Sequence, residues 1–336
     1  MCDKKAEIFQ GIDKLTRISR GFQGAVVLST AAELELFTLL DKKALTPSEV
    51  AGSLGLDLRA ASILLHALAG LELLEKKEGR FGNSPLAAEL LVRGKPHYQG
   101  DIIRHSGHLI DRWMRLPEVL KNGRPPEQPS LAANPQTMRD FILGMHNIAL
   151  LSAEKVAAAL DLGRSRHLLD LGGGPGTYAI TFCRLHPQLS AAVFDLPQVI
   201  EGITAGQVAA AGLQGRISLL KGDYLKDDIG SGYDLVLISN IIHSLGERGN
   251  RTLIGKAFRA LIPGGRIVVK DFLLDENRVT PPFASMFAVN MLTGTAEGGC
   301  YTYEEVRGYL RDAGFECEES LDLSPQDRIV MGVKPA

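Results

Sequence analysis

A chain of 336 residues with 45% apolar side chains can bury a substantial core and has length for about two domains. Its formal charge of −2 gives no electrostatic ground for nucleic acid or an anionic membrane as the main partner, which leaves a small neutral ligand as the better expectation. Cys2, Cys183, Cys300 and Cys317 lie far apart, with no CxxC and no histidine at zinc-site spacing, so neither a disulfide framework nor a structural metal is expected and a reducing cytosol fits.

The N-terminal stretch MCDKKAEIFQGIDK lacks an apolar h-region and a small-residue cleavage site, and no apolar run reaches the ~18–20 residues of a membrane span. The expectation is a soluble, unprocessed, cytoplasmic chain. Up to about residue 165 it reads as helix after helix. Within that half, Thr46 is placed to N-cap a helix with Pro47 at N1 and Glu49 completing a capping box, and Gly55 stops it. Asp57 caps the next helix, whose Leu58, Ala61, Leu65 and Leu68 fall on one face. LLEKKEGRF then reads as two short strands around Glu78-Gly79, and Asn83, Ser84 and Pro85 restart a helix. This is a winged helix-turn-helix pattern.

A winged helix raises the possibility of a DNA-binding regulator. Residues 44–95, however, balance six basic side chains against six acids, and the would-be recognition helix offers only Arg59 and His66 to read bases. Self-association is the better reading. In the following helical segment, His105 and His108 stand three apart without an evident third metal ligand, and Trp113, the only tryptophan, is suited to stack on an aromatic ligand.

Beyond residue 165, short Val/Ile/Leu runs alternate with helical stretches, the pattern of a βαβ sheet. Strands are expected at 167–172, 190–196, 217–223, 233–241, 265–274, 315–323 and 328–334. Only SPQD separates the last two, too short for a helical crossover, so they should pair antiparallel. Domain boundaries follow at 1–100, 101–160 for linking helices, and 161–336.

In LLDLGGGPGTY, Asp170 sits inside the strand that precedes the glycines, and Gly172, Gly174 and Gly176 are spaced G-x-G-x-G, unlike the G-x-G-x-x-G turn that binds a dinucleotide. Asp195 and Asp223 then stand at the carboxyl ends of the next two strands, where ligands of open α/β sheets lie. S-adenosylmethionine has no phosphates. It needs a carboxylate for the ribose hydroxyls (Asp195), an acceptor for the adenine amino group (Asp223), a face over the base (Tyr224 with Leu196) and main chain able to approach the methionine part (Gly172, Gly174). His243, just past the fourth strand, is placed to act as a general base, and Asp271, at the end of a neighbouring strand, to hold its other nitrogen.

The stretches LLDLGGGPGTY, FDLPQVI, KGDYL, YDLVLISNIIHSLGER, IPGGRIVVKDFLL and TAEGGCYTYEEVRGYLRDAGF resemble, in that order, the class I methyltransferase domain of the small-molecule O-methyltransferases, the family of the caffeic acid and hydroxyindole enzymes and of many bacterial pigment and antibiotic enzymes. The resemblance implies an α/β fold: a Rossmann-like, seven-stranded sheet with a C-terminal antiparallel hairpin, preceded by an all-helical, winged-helix-like dimerisation domain. It further implies a homodimer using S-adenosylmethionine and no metal to methylate a hydroxyl of a small aromatic or polyketide-like molecule. Methylation at nitrogen or carbon, or a drifted family member that holds the cofactor for another reaction, is the alternative.

By the same resemblance His243 takes the place of the catalytic histidine, Asp271 that of a glutamate in plant members, and Ser239 that of a lysine near the cofactor. Ser244 replaces the acid of the plant HDW pattern, and Glu297, Cys300 and Tyr301 lie nearest the place of a second flanking glutamate. Met145, Asn290 and Met291 are expected to line the acceptor pocket, and Arg17 and Arg20 to reach a partner subunit.

Overall fold

A computed structural model describes residues 2–126, 134–317 and 320–336, the side chains of Cys2 and Asp3 excepted. It divides into two compact units, Met1–Ile110 and Asp111–Ala336.

The first unit opens with a helix over Cys2–Glu33. The helix Pro47–Leu54 begins with the expected capping box: Glu49 N–H donates to the Thr46 hydroxyl, and Thr46 N–H donates back to the Glu49 carboxylate. Gly55 closes it in the left-handed conformation. Asp57 caps Leu58–Gly70 by accepting from Ala60 N–H at 2.9 Å. Ala61, Leu65 and Leu68 are buried, but Leu58 is 52% exposed. Lying in the first turn, Leu58 carries the apolar stripe past the edge of the core it was expected to join. Strands β1 (Leu74–Lys77) and β2 (Arg80–Asn83) form the wing. Both of its turn residues, Glu78 and Gly79, have positive φ, as a tight two-residue hairpin requires.

The second unit is built on one sheet: β3 (His167–Leu171), β4 (Ser190–Asp195), β5 (Ile217–Lys221), β6 (Tyr233–Ser239), β7 (Leu261–Asp271), β8 (Glu316–Cys317), β9 (Leu321–Ser324) and β10 (Asp327–Val333). The order is β5-β4-β3-β6-β7-β10-β8, with β9 also beside β10. β3 to β7 run parallel, and β10 is antiparallel to β7. Alternate residues feed two cores, one on each face: Leu168, Val193, Leu235 and Val268 pack on one side, and Leu169, Val236, Ile267 and Val269 on the other. Burial on both faces is why these strands read as unbroken apolar runs.

The strand expected at 315–323 is divided. Its two described segments, β8 and β9, both pair antiparallel with β10, while residues 318–319 lie outside the described residues. Cys317 opposes Gly332 and Leu321 opposes Ile329.

Among the described residues no helix is long and apolar enough to cross a membrane, and Cys183, Cys300 and Cys317 are free thiols. The Cys2 side chain lies outside the described residues.

Candidate active site

The strand order reverses at β3, which has β4 on one side and β6 on the other, and the glycine loop leaves β3 at this crevice. Gly172, Gly174 and Gly176 have φ of 71°, 53° and 75°, a region other residues avoid. A Cβ on Gly172 would stand 2.6 Å from the Ile241 side chain, and one on Gly173 2.7 Å from the Asp170 carboxyl carbon. Gly174 N–H donates to Asp195 Oδ2 and Leu196 N–H to Asp195 Oδ1, each at 2.7 Å. Each of those oxygens keeps a further lone pair. Burial raises the Asp195 carboxyl above its ordinary range against the pull of the two N–H bonds.

Asp170 lies beneath the loop rather than on the rim. It is 1% exposed and accepts from Ala179 N–H at 3.3 Å, tying β3 to the helix that follows the loop. Burial pushes its carboxyl up to about 7, with the nearby Asp195 charge adding to the effect. Asp223 sits past β5 in a turn of its own, accepting from Leu225 N–H at 2.9 Å and from Lys226 at 2.8 Å. Lys226 holds its carboxyl below the usual range. Tyr224 packs beside Gly172 and Leu196 is 40% exposed. At the end of β6 the Ser239 hydroxyl is buried and has no hydrogen-bond partner among the described residues.

Past Ser239 the chain turns sharply. Asn240 adopts φ 57° and its N–H donates to the Lys270 carbonyl at 2.8 Å. A single 3-10 turn, Ile242–Ser244, then presents His243. Because Ser239 pairs with Lys270 across β6 and β7, His243 emerges beside Asp271. His243 Nδ1 and Asp271 Oδ1 are 2.7 Å apart, and Phe272 N–H donates to the same oxygen at 2.7 Å. An ionised carboxylate only accepts, so Nδ1 carries the proton and Nε2 keeps its lone pair. The imidazole is 12% exposed, with Phe272 stacked on it at 5.8 Å and Phe287 edge-on at 4.9 Å.

The EGGCYTY turn folds against this residue's backbone: Gly299 N–H donates to the His243 carbonyl at 2.9 Å. The Tyr301 hydroxyl donates to the Leu245 carbonyl. Cys300 is packed with Phe272, Leu274 and Ala284, and burial together with the Asp271 charge pushes its thiol up to about 12. Glu297 lies against Gly246. Among the described contacts, none of the three bonds the imidazole, whose ring neighbours are Phe272 and Phe287.

The neighbour of Asp271 points the other way. Lys270 is fully buried, 3.0 Å from Asp327 and 3.3 Å from Asn240 Oδ1, with the Tyr178 ring 5.8 Å away. Burial alone would lower its pKa, but Tyr178 and Asp327 hold it above the ordinary lysine value. Phe287 and Lys270 carry no motif signal, although Phe287 is three residues before Asn290, one helical turn along the same face.

Of the residues expected around an acceptor, Trp113 and Asn290 meet: the indole N–H donates to Asn290 Oδ1 at 3.1 Å. Met291 is buried on the same helix, Pro282–Gly294. Met145 is half-buried on the helix Pro135–Leu150, whose Ile142 and Leu143 pack on Val199 and Ile203. His105 and His108 lie on the helix Gly100–Met114, and no group of three metal-type side chains gathers among the described residues. Arg17 pairs with Asp13 at 3.0 Å on the exposed face of the first helix, where Arg20 is exposed too.

Comparison with known proteins agrees along the whole chain. Residues 128–316 match the O-methyltransferase domain and residues 16–93 the O-methyltransferase dimerisation domain. A 3-hydroxy-5-methyl-1-naphthoate 3-O-methyltransferase from Streptomyces sahachiroi is 35% identical, covering 95% of this chain and 94% of its own. The tetracenomycin polyketide synthesis 8-O-methyl transferase TcmO of Streptomyces glaucescens is 32% identical over 97% and 98%. Among solved structures, human N-acetylserotonin methyltransferase in complex with S-adenosylmethionine aligns with a TM-score of 0.89 at 25% identity, covering 97% of this chain and 98% of that one. The chain therefore belongs to the O-methyltransferase family of S-adenosylmethionine-dependent methyltransferases, with the family's dimerisation domain ahead of its catalytic domain.

Proposed function

We propose that this protein methylates a hydroxyl oxygen of a small aromatic or polyketide-like molecule, with His243 as the general base. The observation that carries the reading is the 2.7 Å pairing of His243 with Asp271 at the rim where the glycine loop opens. The named relatives that act on a naphthoate and on a polyketide support the acceptor class.

The rim residues fit S-adenosylmethionine. A Cβ would fill the space kept open at Gly172, Asp195 has lone pairs to accept two ribose hydroxyls, and the buried Ser239 hydroxyl lacks a partner that a ligand would supply. Leu196 and Tyr224 flank the base, and Asp223 accepts from the adenine amino group. Asp170 acts from below, joining β3 to the helix that follows the glycine loop. Bound there, S-adenosylmethionine supplies an already activated methyl group, so alignment and proton removal are what the protein adds. A phenol with a pKa of ~10 is mostly protonated at neutral pH. His243 Nε2 takes that proton, while Asp271 stabilises the imidazolium that results. Phe272, stacked, and Phe287, edge-on, pack against the ring and limit water around it, and this proton transfer requires no metal.

Trp113, Met145, Asn290 and Met291 are assigned to the acceptor. Residues 1–100 are assigned to dimerisation, 101–160 to the linking helices and 161–336 to catalysis. Homodimer formation is supported by the exposed apolar side chains Ile8, Ile12, Leu15, Ile18 and Phe22 on the first helix, a surface that a second copy would cover. Free thiols favour the cytoplasm. The test is incubation with methyl-labelled cofactor and a phenolic library, followed by carbon NMR of the product. An oxygen-bound label is expected; label on nitrogen or carbon, or no calorimetric signal with millimolar S-adenosylhomocysteine, would overturn the reading.

A further inference from the structure

Arg112 is a half-buried cation with no acid beside it among the described residues. Its side chain makes one hydrogen bond among the described residues, 3.4 Å from Nη2 to Asn290 Oδ1, an oxygen that already accepts the Trp113 indole at 3.1 Å. Its Nε is enclosed and has no acceptor among the described residues. Burial holds its pKa below the ordinary guanidinium value, and among the described residues no carboxylate acts against that. A guanidinium stays charged under all ordinary conditions, and charge withdrawn from water without a counter-charge is costly, so the arrangement fits a site completed by an anion.

The position of Arg112 places that anion relative to the chemistry. The guanidinium lies against Gly294, where an added Cβ would come within 2.6 Å of Nη2. Phe287, Asn290, Met291 and Gly294 are spaced i, i+3, i+4 and i+7 on the helix Pro282–Gly294 and share one face. Phe287 touches the His243 ring at one end of that face, and Gly294 carries Arg112 at the other. Seven residues at the helical rise separate the two ends by about 10 Å.

We propose that the methyl acceptor is an aromatic acid: Arg112 binds its carboxylate, Trp113 lies against its ring system, and its hydroxyl reaches His243 at the far end of the face. This rests on the reading of the His243 rim as the methyl-transfer site. Arg112 is thereby a specificity residue, since its fork of N–H donors matches a carboxylate and would be left unmatched by a neutral acceptor.

Trp113, the sole tryptophan, reports binding directly by its fluorescence. The experiment titrates enzyme loaded with S-adenosylhomocysteine with a panel of hydroxylated one-, two- and three-ring aromatic acids, each paired with its carboxamide. At least one acid is expected to bind about tenfold or more tightly than its amide, the scale of a charge-assisted bond. Arg112→Met should abolish that preference, weakening the acid far more than its amide, and Arg112→Lys should keep part of it. No acid out-binding its amide, or a preference that survives in Arg112→Met, overturns the proposal. The comparison in the unaltered enzyme needs no variant to fold. Failure to bind S-adenosylhomocysteine by calorimetry defeats the methyl-transfer reading itself, whereas cofactor binding and methylation of uncharged phenols without acid preference defeats only the role of Arg112.

Discussion

The Nδ1 atom of His243 and the Oδ1 atom of Asp271, 28 positions apart in the chain, stand 2.7 Å from each other, and the carboxylate also accepts Phe272 N–H. That pairing leaves Nε2 as the basic nitrogen. His243→Ala should lower turnover by ~10²–10⁴ at saturating cofactor. Asp271→Asn keeps the shape but can offer the imidazole an N–H donor, which favours the wrong tautomer, and a loss of similar size is expected. Calorimetry should find S-adenosylhomocysteine affinity within about twofold of the parent for both. Unchanged turnover would mean that alignment alone drives the transfer.

Asp195 and Ser239 make different predictions for cofactor binding. Asp195→Ala removes both proposed ribose acceptors and should weaken S-adenosylhomocysteine binding tenfold or more. Ser239→Ala removes a buried hydroxyl that has no described partner, which should stabilise the ligand-free protein by about 1 kcal/mol while reducing the stabilisation gained from ligand. Thermal unfolding with and without S-adenosylhomocysteine reads both. If Ser239→Ala leaves the ligand-induced shift in Tm intact, the hydroxyl does not meet the cofactor.

Asp170 should leave a signature in stability against pH. Burial pushes its carboxyl up to about 7, far above the ~3.9 of an unfolded chain. The folded state therefore holds the proton more tightly. Its contribution to stability is complete below about pH 4 and is lost as pH rises through about 7, a change of about 4 kcal/mol. Asp170→Asn removes this dependence, so relative to the parent it should gain stability between pH 5 and pH 8 in urea titrations. A parent-to-variant difference that is flat across that range would show that the carboxyl titrates normally.

Lys270 and Asp327 form a buried pair 3.0 Å apart. Lys270→Met strands the Asp327 charge and should cost about 3–5 kcal/mol in denaturant titration. Adding Asp327→Asn should recover a large part of that loss, because the isolated charge, rather than the missing bond, is the expensive element. A double variant no more stable than Lys270→Met would place the effect elsewhere, in the contacts of Lys270 with Asn240 and Tyr178.

Local chemistry carried much of this protein's organisation. Thr46 with Glu49, Asp57, and the Glu78-Gly79 turn act on backbone groups within a few residues, so their effects are legible in the sequence. The same holds for the parallel strands, whose unbroken apolar runs follow from burial on both faces, and for glycines where the chain needs positive φ. The meeting of His243 with Asp271 followed from strand adjacency, because β6 and β7 are consecutive and share a rim.

Tertiary structure decided the rest. Leu58 has the right spacing but lies beyond the edge of its core, and the arm expected at 315–323 is divided into β8 and β9, both beside β10. Asp170 bears the same side chain as Asp195, yet one lies beneath the glycine loop and the other faces the rim. Arg112 and Asn290 meet across 178 positions, and Phe287 reaches His243 across 44. Sequence by itself determined where the chain turns, caps and buries, since those forces act between near neighbours. Which distant side chains share a site depended on the packing of whole elements, where a shift of one helical position would exchange every partner.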